Sequence, residues 1–335
     1  MQTSPISRTS QTSLGLRLGV PVKRLDLEQQ YLGLRKKWWT KYCPDVITIR
    51  RESLKPAEEL IKRWTKIFPK EDTLAQKFYN IPSFVVGVDC IIDEKTGRFG
   101  LYEIDEKPTG IGLACFLNES FKAHLHGMLA WWPYSSITVL ISKDRRGCDD
   151  QFWTTTTSNQ KDFNTHSLFI IRAEPGEIGK FNGFEGNSGS SLLQDGNKSY
   201  GVELGLWRET TPRDLENPEL WKENFVLKPC QGRDSKDIMI WINGYNGNYG
   251  TSSEGQIRKK LNQNGRMYMQ EFIPPLTKQD SCGCRTVYWK TIYRILFAYD
   301  VDFRKYVALG GFWIMRNNYK VQVAPDSLTG QIILI

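Results

Sequence analysis

FVVGVDCIIDEKTGRFGLYEIDEKPTGIG, residues Phe84 to Gly112, decides how the rest of the chain is read. Phe84–Ile92 is a dense apolar and β-branched run, and Arg98–Asp105 alternates apolar with polar residues, so both segments predict strands. Asp93-Glu-Lys-Thr-Gly97 between them has turn composition, with glycine where a positive φ is needed. Positions i and i+2 of a strand share a face. Glu103 and Asp105 therefore point the same way, with Asp89 near them on the partner strand. Clustered carboxylates repel unless a cation or a proton resolves them. Such an oxygen-only set suits Mg²⁺ or Mn²⁺ better than zinc. A polar strand face turned to water is the plainer alternative. The loop Pro108-Thr-Gly-Ile-Gly112 follows at once.

The chain has 335 residues with a formal net charge of +8, enough for two or three lobes and favourable to anionic ligands. Its 40% hydrophobic and 24% charged content is that of an ordinary globular protein, and it lacks both a membrane-length apolar run and a secretory leader. The seven cysteines are dispersed and odd in number, which predicts free thiols and a cytoplasmic location. Cys282-Gly-Cys284 is the only close pair, too little for a zinc site.

Outward from the hairpin, residues 1–22 read as a flexible arm. Lys23–Tyr42 and Ser53–Phe68 read as amphipathic helices, the second with Leu60, Ile61, Trp64 and Ile67 on one side. Cys115–Trp132 reads as a helix on which His124 and His126, two apart, do not share a face. Ile137–Ser142 and Ser167–Arg172 read as strands of a small α/β lobe spanning 133–205, with a Gly/Asn-rich loop at Phe181–Gly196. Beyond it come a helical piece at Pro212–Glu223, strands at Asn224–Pro229 and Asp237–Ile242, a Gly/Asn-rich turn at Asn243–Gly255 and a helix at Gln256–Asn264. Strands at Met267–Ile273, Arg285–Asp300, Tyr306–Arg316 and Tyr319–Val323 complete the chain.

An Asp, a hairpin, then Glu103-Ile-Asp105 and a glycine-containing loop resemble the metal-binding end of the ATP-grasp ligases, with Asp105 where the family has Asn. Val226-Leu-Lys-Pro229 resembles the strand whose lysine reaches the nucleotide, and Met269-Gln-Glu-Phe-Ile273 resembles the hinge strand that pairs with adenine. Here the acidic hairpin precedes both, an order similar to the circularly permuted ATP-grasp group that includes eukaryotic-type glutathione synthetase and glutathionylspermidine-synthase-like proteins. The resemblance implies an α+β or α/β chain with the ATP-grasp fold in circularly permuted order: two antiparallel-sheet lobes clasping ATP, plus the small α/β lobe. Residues 23–132 would carry the metal-binding hairpin and 206–335 the nucleotide-binding lobes.

The same resemblance implies the chemistry. ATP and Mg²⁺ (or Mn²⁺) would be the cofactors, with the metal on Asp89, Glu103 and Asp105. The nucleotide would lie on Lys228, Gln270, Glu271 and Ile273, and Arg316 with Lys290 or Arg294 would face the transferring phosphoryl group. The partners would be a small carboxylic acid and an amine, amino acids or peptides among them, and a homodimer follows by analogy. Two alternatives stay open. One is a nucleotide-binding protein without turnover. The other is a nucleic-acid binder, suggested by the positive charge and by Arg and Lys around Trp38, Trp39 and Trp64.

Overall fold

The protein is described from a computed structural model, over residues 41–43, 45–68, 74–130, 136–140, 156–158, 167–171, 198–230, 237–282, 285–322, 324 and 326–335. In chain order these form β1 (Lys41–Tyr42), β2 (Ile47–Ile49), α1 (Lys55–Ile67), α2 (Leu74–Tyr79), β3 (Val85–Asp93), β4 (Arg98–Asp105), α3 (Ile111–Leu117) and α4 (Glu119–Leu129). Then come β5 (Ser136–Leu140), β6 (Thr156–Ser158), β7 (Ser167–Ile171), α5 (Tyr200–Glu203), β8 (Trp207–Thr210), β9 (Phe225–Pro229) and β10 (Met239–Trp241). The last are α6 (Glu254–Asn264), β11 (Met267–Glu271), β12 (Leu276–Cys282), β13 (Arg285–Asp300), β14 (Lys305–Arg316) and β15 (Leu328–Leu334). The class is mixed α+β.

An eight-stranded sheet runs β1-β15-β14-β13-β3-β4, with β12 beside the first half of β13 and β2 beside the end of β15. The sixteen residues of β13 make it the spine, since β12 and β3 share one of its edges end to end. Its stretch Ile295–Ala298 is 0–1% exposed, as is Phe312 on β14. Helices α1, α3 and α4 pack on this sheet. On α1 the buried residues Ala57, Ile61 and Trp64 recur at helical spacing. Trp64 is 0% exposed, 5.2 Å from the Phe68 ring and 6.3 Å from that of Tyr200, so it is a core residue with no face left for a nucleobase.

A second, four-stranded antiparallel sheet runs β10-β9-β11-β8. It has its own core. Phe225 and Leu227 of β9 and Met267 and Met269 of β11 pack with Ile257 and Leu261 of α6 and with Leu215 and Leu220. The period of two then sends Lys228 of β9 and Tyr268 and Gln270 of β11 to the opposite face, toward the large sheet. The three parallel strands β6-β5-β7 stand where a small lobe is expected.

Four expectations change. The predicted helix Cys115–Trp132 is two helices, because Asn118 adopts an extended φ of −147° and its side chain accepts from the N–H groups of Ser120 and Phe121, capping α4. Lys41–Tyr42, the described end of the predicted helix Lys23–Tyr42, is a strand paired with Leu328–Thr329; 23–40 lie outside the described residues. The final strand is Leu328–Leu334; Tyr319–Gln322, the described part of the expected strand Tyr319–Val323, forms none, because the chain bends at 317–320 before returning along β14. Pro212–Glu223 is two 3-10 turns, each opened by a proline. The arm 1–22, the loop 181–196 and Trp38 and Trp39 also lie outside the described residues.

The 108–110 turn is fitted tightly to the sheet. Gly110 has φ +91°, and a Cβ there would sit 2.5 Å from the Phe312 ring, whereas at Gly97, with φ +69°, a Cβ would meet nothing within 4 Å. Denaturant unfolding should therefore show G97A losing about 1 kcal/mol for its backbone alone, and G110A distinctly more, toward about 3 kcal/mol. Equal losses would mean that Phe312 gives way freely.

Candidate functional site

The strand β4 lies at the edge of the large sheet, and an edge strand presents unpaired backbone groups. Its register with β3 steps from Asp89↔Glu103 to Cys90↔Leu101, which leaves Tyr102 as the extra residue of a bulge. Two successive carbonyls, those of Leu101 and Tyr102, are thereby available to the second sheet. Gln270 donates from Nε2 to the Leu101 carbonyl at 2.6 Å, and the Lys228 ammonium donates to the Tyr102 carbonyl. At the next position Lys198 forms a close ion pair with the Glu103 carboxylate. Two further bonds extend the seam: the Tyr102 hydroxyl donates to the Ile273 carbonyl at 2.8 Å, and the Ile104 N–H donates to the Tyr200 hydroxyl at 3.0 Å.

The seam concentrates buried charge. Lys198 and Lys228 are each 4% exposed. The Lys228 ammonium also lies 4.3 Å from the centroid of the Trp207 ring, a cation–π contact worth about 2 kcal/mol when desolvated. Trp207 is seated on Gly201, where a Cβ would stand 2.0 Å from the indole. Burial, reinforced by the neighbouring Lys198 charge, outweighs the pull of Glu103 and Asp89 and depresses the Lys228 pKa to about 7. Lys198 behaves oppositely: burial works against its charge, but Glu103, Asp105 and Glu106 raise its pKa. Burial likewise opposes the Glu103 carboxylate, yet Lys198, Lys228 and Arg294 hold it below the usual range. Lys198 and Glu103 are therefore both charged.

The acidic face is built as its register dictates. Asp89 and Glu103 are direct cross-strand partners, and Asp105 follows Glu103 by two residues. Arg294, opposite Asp89 on β13, grips both carboxylate oxygens at 2.6 Å and reaches the Thr109 carbonyl at 3.1 Å and hydroxyl at 2.8 Å. Asp89 and Arg294, expected as a metal ligand and a phosphoryl-side cation, are thus partners of each other. Arg316, expected beside Arg294, binds Asp326 at 2.8 Å and the Lys320 carbonyl at 2.9 Å. Lys290 lies cross-strand from Arg316, donates to Thr277 at 3.3 Å and stands 4.9 Å over the Tyr319 ring. Four residues of strand separate this pair from Arg294, about 13 Å along β13. Glu271 is exposed, while Gln270 and the Ile273 carbonyl belong to the seam.

A divalent cation would need carboxylate oxygens facing it. Both Asp89 oxygens are held by Arg294, one Glu103 oxygen by Lys198, and Asp105 Oδ1 accepts the Lys107 N–H at 2.8 Å. Among the described residues no group of three His, Cys, Asp or Glu is arranged to hold a metal. The residues that would hold one are Glu103 and Asp105, two apart on β4, and only with Lys198 displaced. His124 and His126 are exposed, and Cys43, Cys90 and Cys230 are free thiols.

Sequence reasoning missed Lys198, Trp207 and Tyr200, whereas the loop that opens at Thr109 was expected beside the acidic face. The local signal at Lys198 is a lysine after Gly-Asn and before a short helix, which looks like any surface lysine. What distinguishes it is a partner 95 residues away.

No protein-family model matches the chain, and no curated protein sequence does. Among solved structures, a glutathione synthetase-like effector from Globodera pallida in its apo form aligns with 85% of this chain and 83% of its own, at 13% identity and a TM-score of 0.39. At that identity and score the alignment decides neither family nor activity. Among the described residues no helix is long and apolar enough to cross a membrane.

The pKa of Lys228, about 7 in the fold against an ordinary 10.5, gives a pH signature. Between those values the unfolded chain binds the extra proton, so stability rises with pH across the window and the burial penalty is complete below it. The unfolding free energy of wild type relative to K228M should therefore climb between pH 7 and 10.5 and stay level below pH 7. A level difference throughout would mean that Lys228 titrates normally.

Proposed function

We propose that this protein is an ATP-dependent carboxylate–amine ligase of ATP-grasp build, with the nucleotide taken at the seam between the two sheets. One observation carries the reading. Three consecutive residues of the hairpin edge, Leu101, Tyr102 and Glu103, each receive a side chain from the second half of the chain: Gln270, Lys228 and Lys198. The acidic hairpin, the lysine strand and the hinge strand therefore meet, which is the arrangement that a triphosphate cleft of this kind requires.

The chain's own groups suit that task. Lys228 and Lys198 are cations held with little exposure, where charge acts most strongly on a phosphate. Lys228, depressed by burial, regains its full charge when an anion arrives. Gln270 is 5% exposed, and its Oε1 has no hydrogen-bond partner among the described residues, so it can accept from a donor such as an exocyclic amine. Arg294 positions the Thr109 turn next to the acidic face. In the reaction a carboxylate oxygen of the substrate attacks the γ-phosphorus, and the bond from that phosphorus to ADP breaks. An amine nitrogen then attacks the acyl carbon, loses a proton and expels phosphate. Glu103 and Asp105 would hold Mg²⁺ or Mn²⁺, which would supply further neutralisation of phosphate charge. The lysines and Arg294 do the positioning.

The Asp89–Arg294 pair favours a second reading, a nucleotide-binding protein without turnover, because it removes one carboxylate from the expected metal set. The two readings separate in one assay. Protein with Mg-ATP and a pool of amino acids and small acids should release phosphate, and E103Q should reduce that release by about 100-fold or more with an unchanged circular dichroism spectrum. Wild-type turnover in E103Q would remove Glu103 from the site. Calorimetric ATP binding with no phosphate release across the pool would establish the second reading.

A further inference from the structure

The Glu103–Lys198 ion pair occupies both groups that a ligand would use. The backbone of Lys198 is fixed, since its N–H donates to the Cys230 carbonyl at 3.2 Å just beyond the end of β9. Its side chain, 5% exposed, reaches Glu103, itself 32% exposed, so the carboxylate is the more open partner. A buried ammonium must keep an anionic or hydrogen-bonding partner, because an uncompensated charge in a low-dielectric interior is strongly unfavourable. Lys198 can therefore leave Glu103 only for another anion. Once it leaves, the Glu103 carboxylate, with Asp105 two residues along the same strand face, loses the ammonium it is paired with, while Lys228 and Arg294 continue to act on it, and a divalent cation can take the vacated place. Asp89 takes no part, because Arg294 keeps both its oxygens. On the same seam Gln270, 5% exposed, keeps an Oε1 without a hydrogen-bond partner among the described residues, an unmet acceptor beside the Leu101 carbonyl.

We infer that Lys198 is an exchangeable counter-ion that excludes divalent cations from Glu103 in the empty site and admits them when a polyphosphate draws it away. Metal and polyphosphate then bind with positive coupling, and by linkage each strengthens the other. The identity of the anion rests on the nucleotide reading above, whereas the metal half is testable alone.

The experiment titrates Mn²⁺, without nucleotide, into the full chain of wild type, K198M and K198M/E103Q, read by electron paramagnetic resonance of free Mn²⁺. K198M should bind Mn²⁺ at least about fivefold more tightly than wild type, and K198M/E103Q should lose the gain. Equal affinity in wild type and K198M, or a gain that survives E103Q, overturns the inference. A second measurement does not need K198M to fold. In metal-free buffer E103Q should bind tripolyphosphate several-fold more tightly than wild type, because Lys198 is then released from its carboxylate; unchanged or weaker binding overturns the inference equally. Absence of phosphate release from Mg-ATP bears on the ligase reading and leaves both measurements standing.

Discussion

Two ammonium groups buried against one sheet edge set the terms for the rest of the molecule. Placing a lysine in a protein interior is costly unless its hydrogen bonds and charge are answered. The polar answers here come from a single strand. Lys228 takes the Tyr102 carbonyl and the Trp207 ring, and Lys198 takes Glu103. An exposed strand edge is itself a liability, open to pairing with foreign chains. The two problems offset each other: the edge supplies acceptors to buried cations, and the second sheet caps the edge. Gln270 and Tyr200 complete the cap at Leu101 and Ile104.

The bulge at Tyr102 makes this arrangement work. In an unbroken strand consecutive carbonyls face opposite ways, and one of each pair is spent on the neighbouring strand. The register step gives the edge two successive acceptors while Asp89 still stands opposite Glu103. The same hairpin thus shows acids on its face and carbonyls along its rim. Arg294 pins the acidic face from β13 and ties down the turn at Thr109, so the face is held firmly on the Asp89 side and through one exchangeable contact on the Glu103 side. A site with one fixed and one movable ion pair is suited to a ligand that arrives charged.

Much of the architecture was legible in local pattern. Arg98–Asp105 is β4 to the residue, and β3 is displaced by one position from the expected Phe84–Ile92. The alternation in β9 and β11, with Phe225, Leu227, Met267 and Met269 to one core, already fixes which way Lys228 and Gln270 point. The errors have local explanations. Asn118 sits inside an otherwise continuous helical pattern, and its capping oxygen outcompetes helix continuation. The aromatic and β-branched content of Tyr319–Val323 looks like a strand, but the sheet edge it would need is taken by β15. Even spacing of Lys290 and Arg294 says that they share a face, not that they share a ligand, and Arg316 has an acidic neighbour of its own in Asp326.

What the sequence determined by itself was local: the strands β3, β4, β9, β11, β13 and β14, where the hairpin turns, which face of β9 and β11 is apolar, and that three acids stand together. Tertiary structure decided the partners. Glu103 meets Lys198 across 95 residues, Tyr102 meets Lys228 across 126, Leu101 meets Gln270 across 169, and Asp89 meets Arg294 across 205. Strand periodicity is a property of neighbouring residues and survives in any window of the chain. The pairing of charges depends on sheet order, on register and on a one-residue bulge, and these exist only once the two sheets have closed on each other.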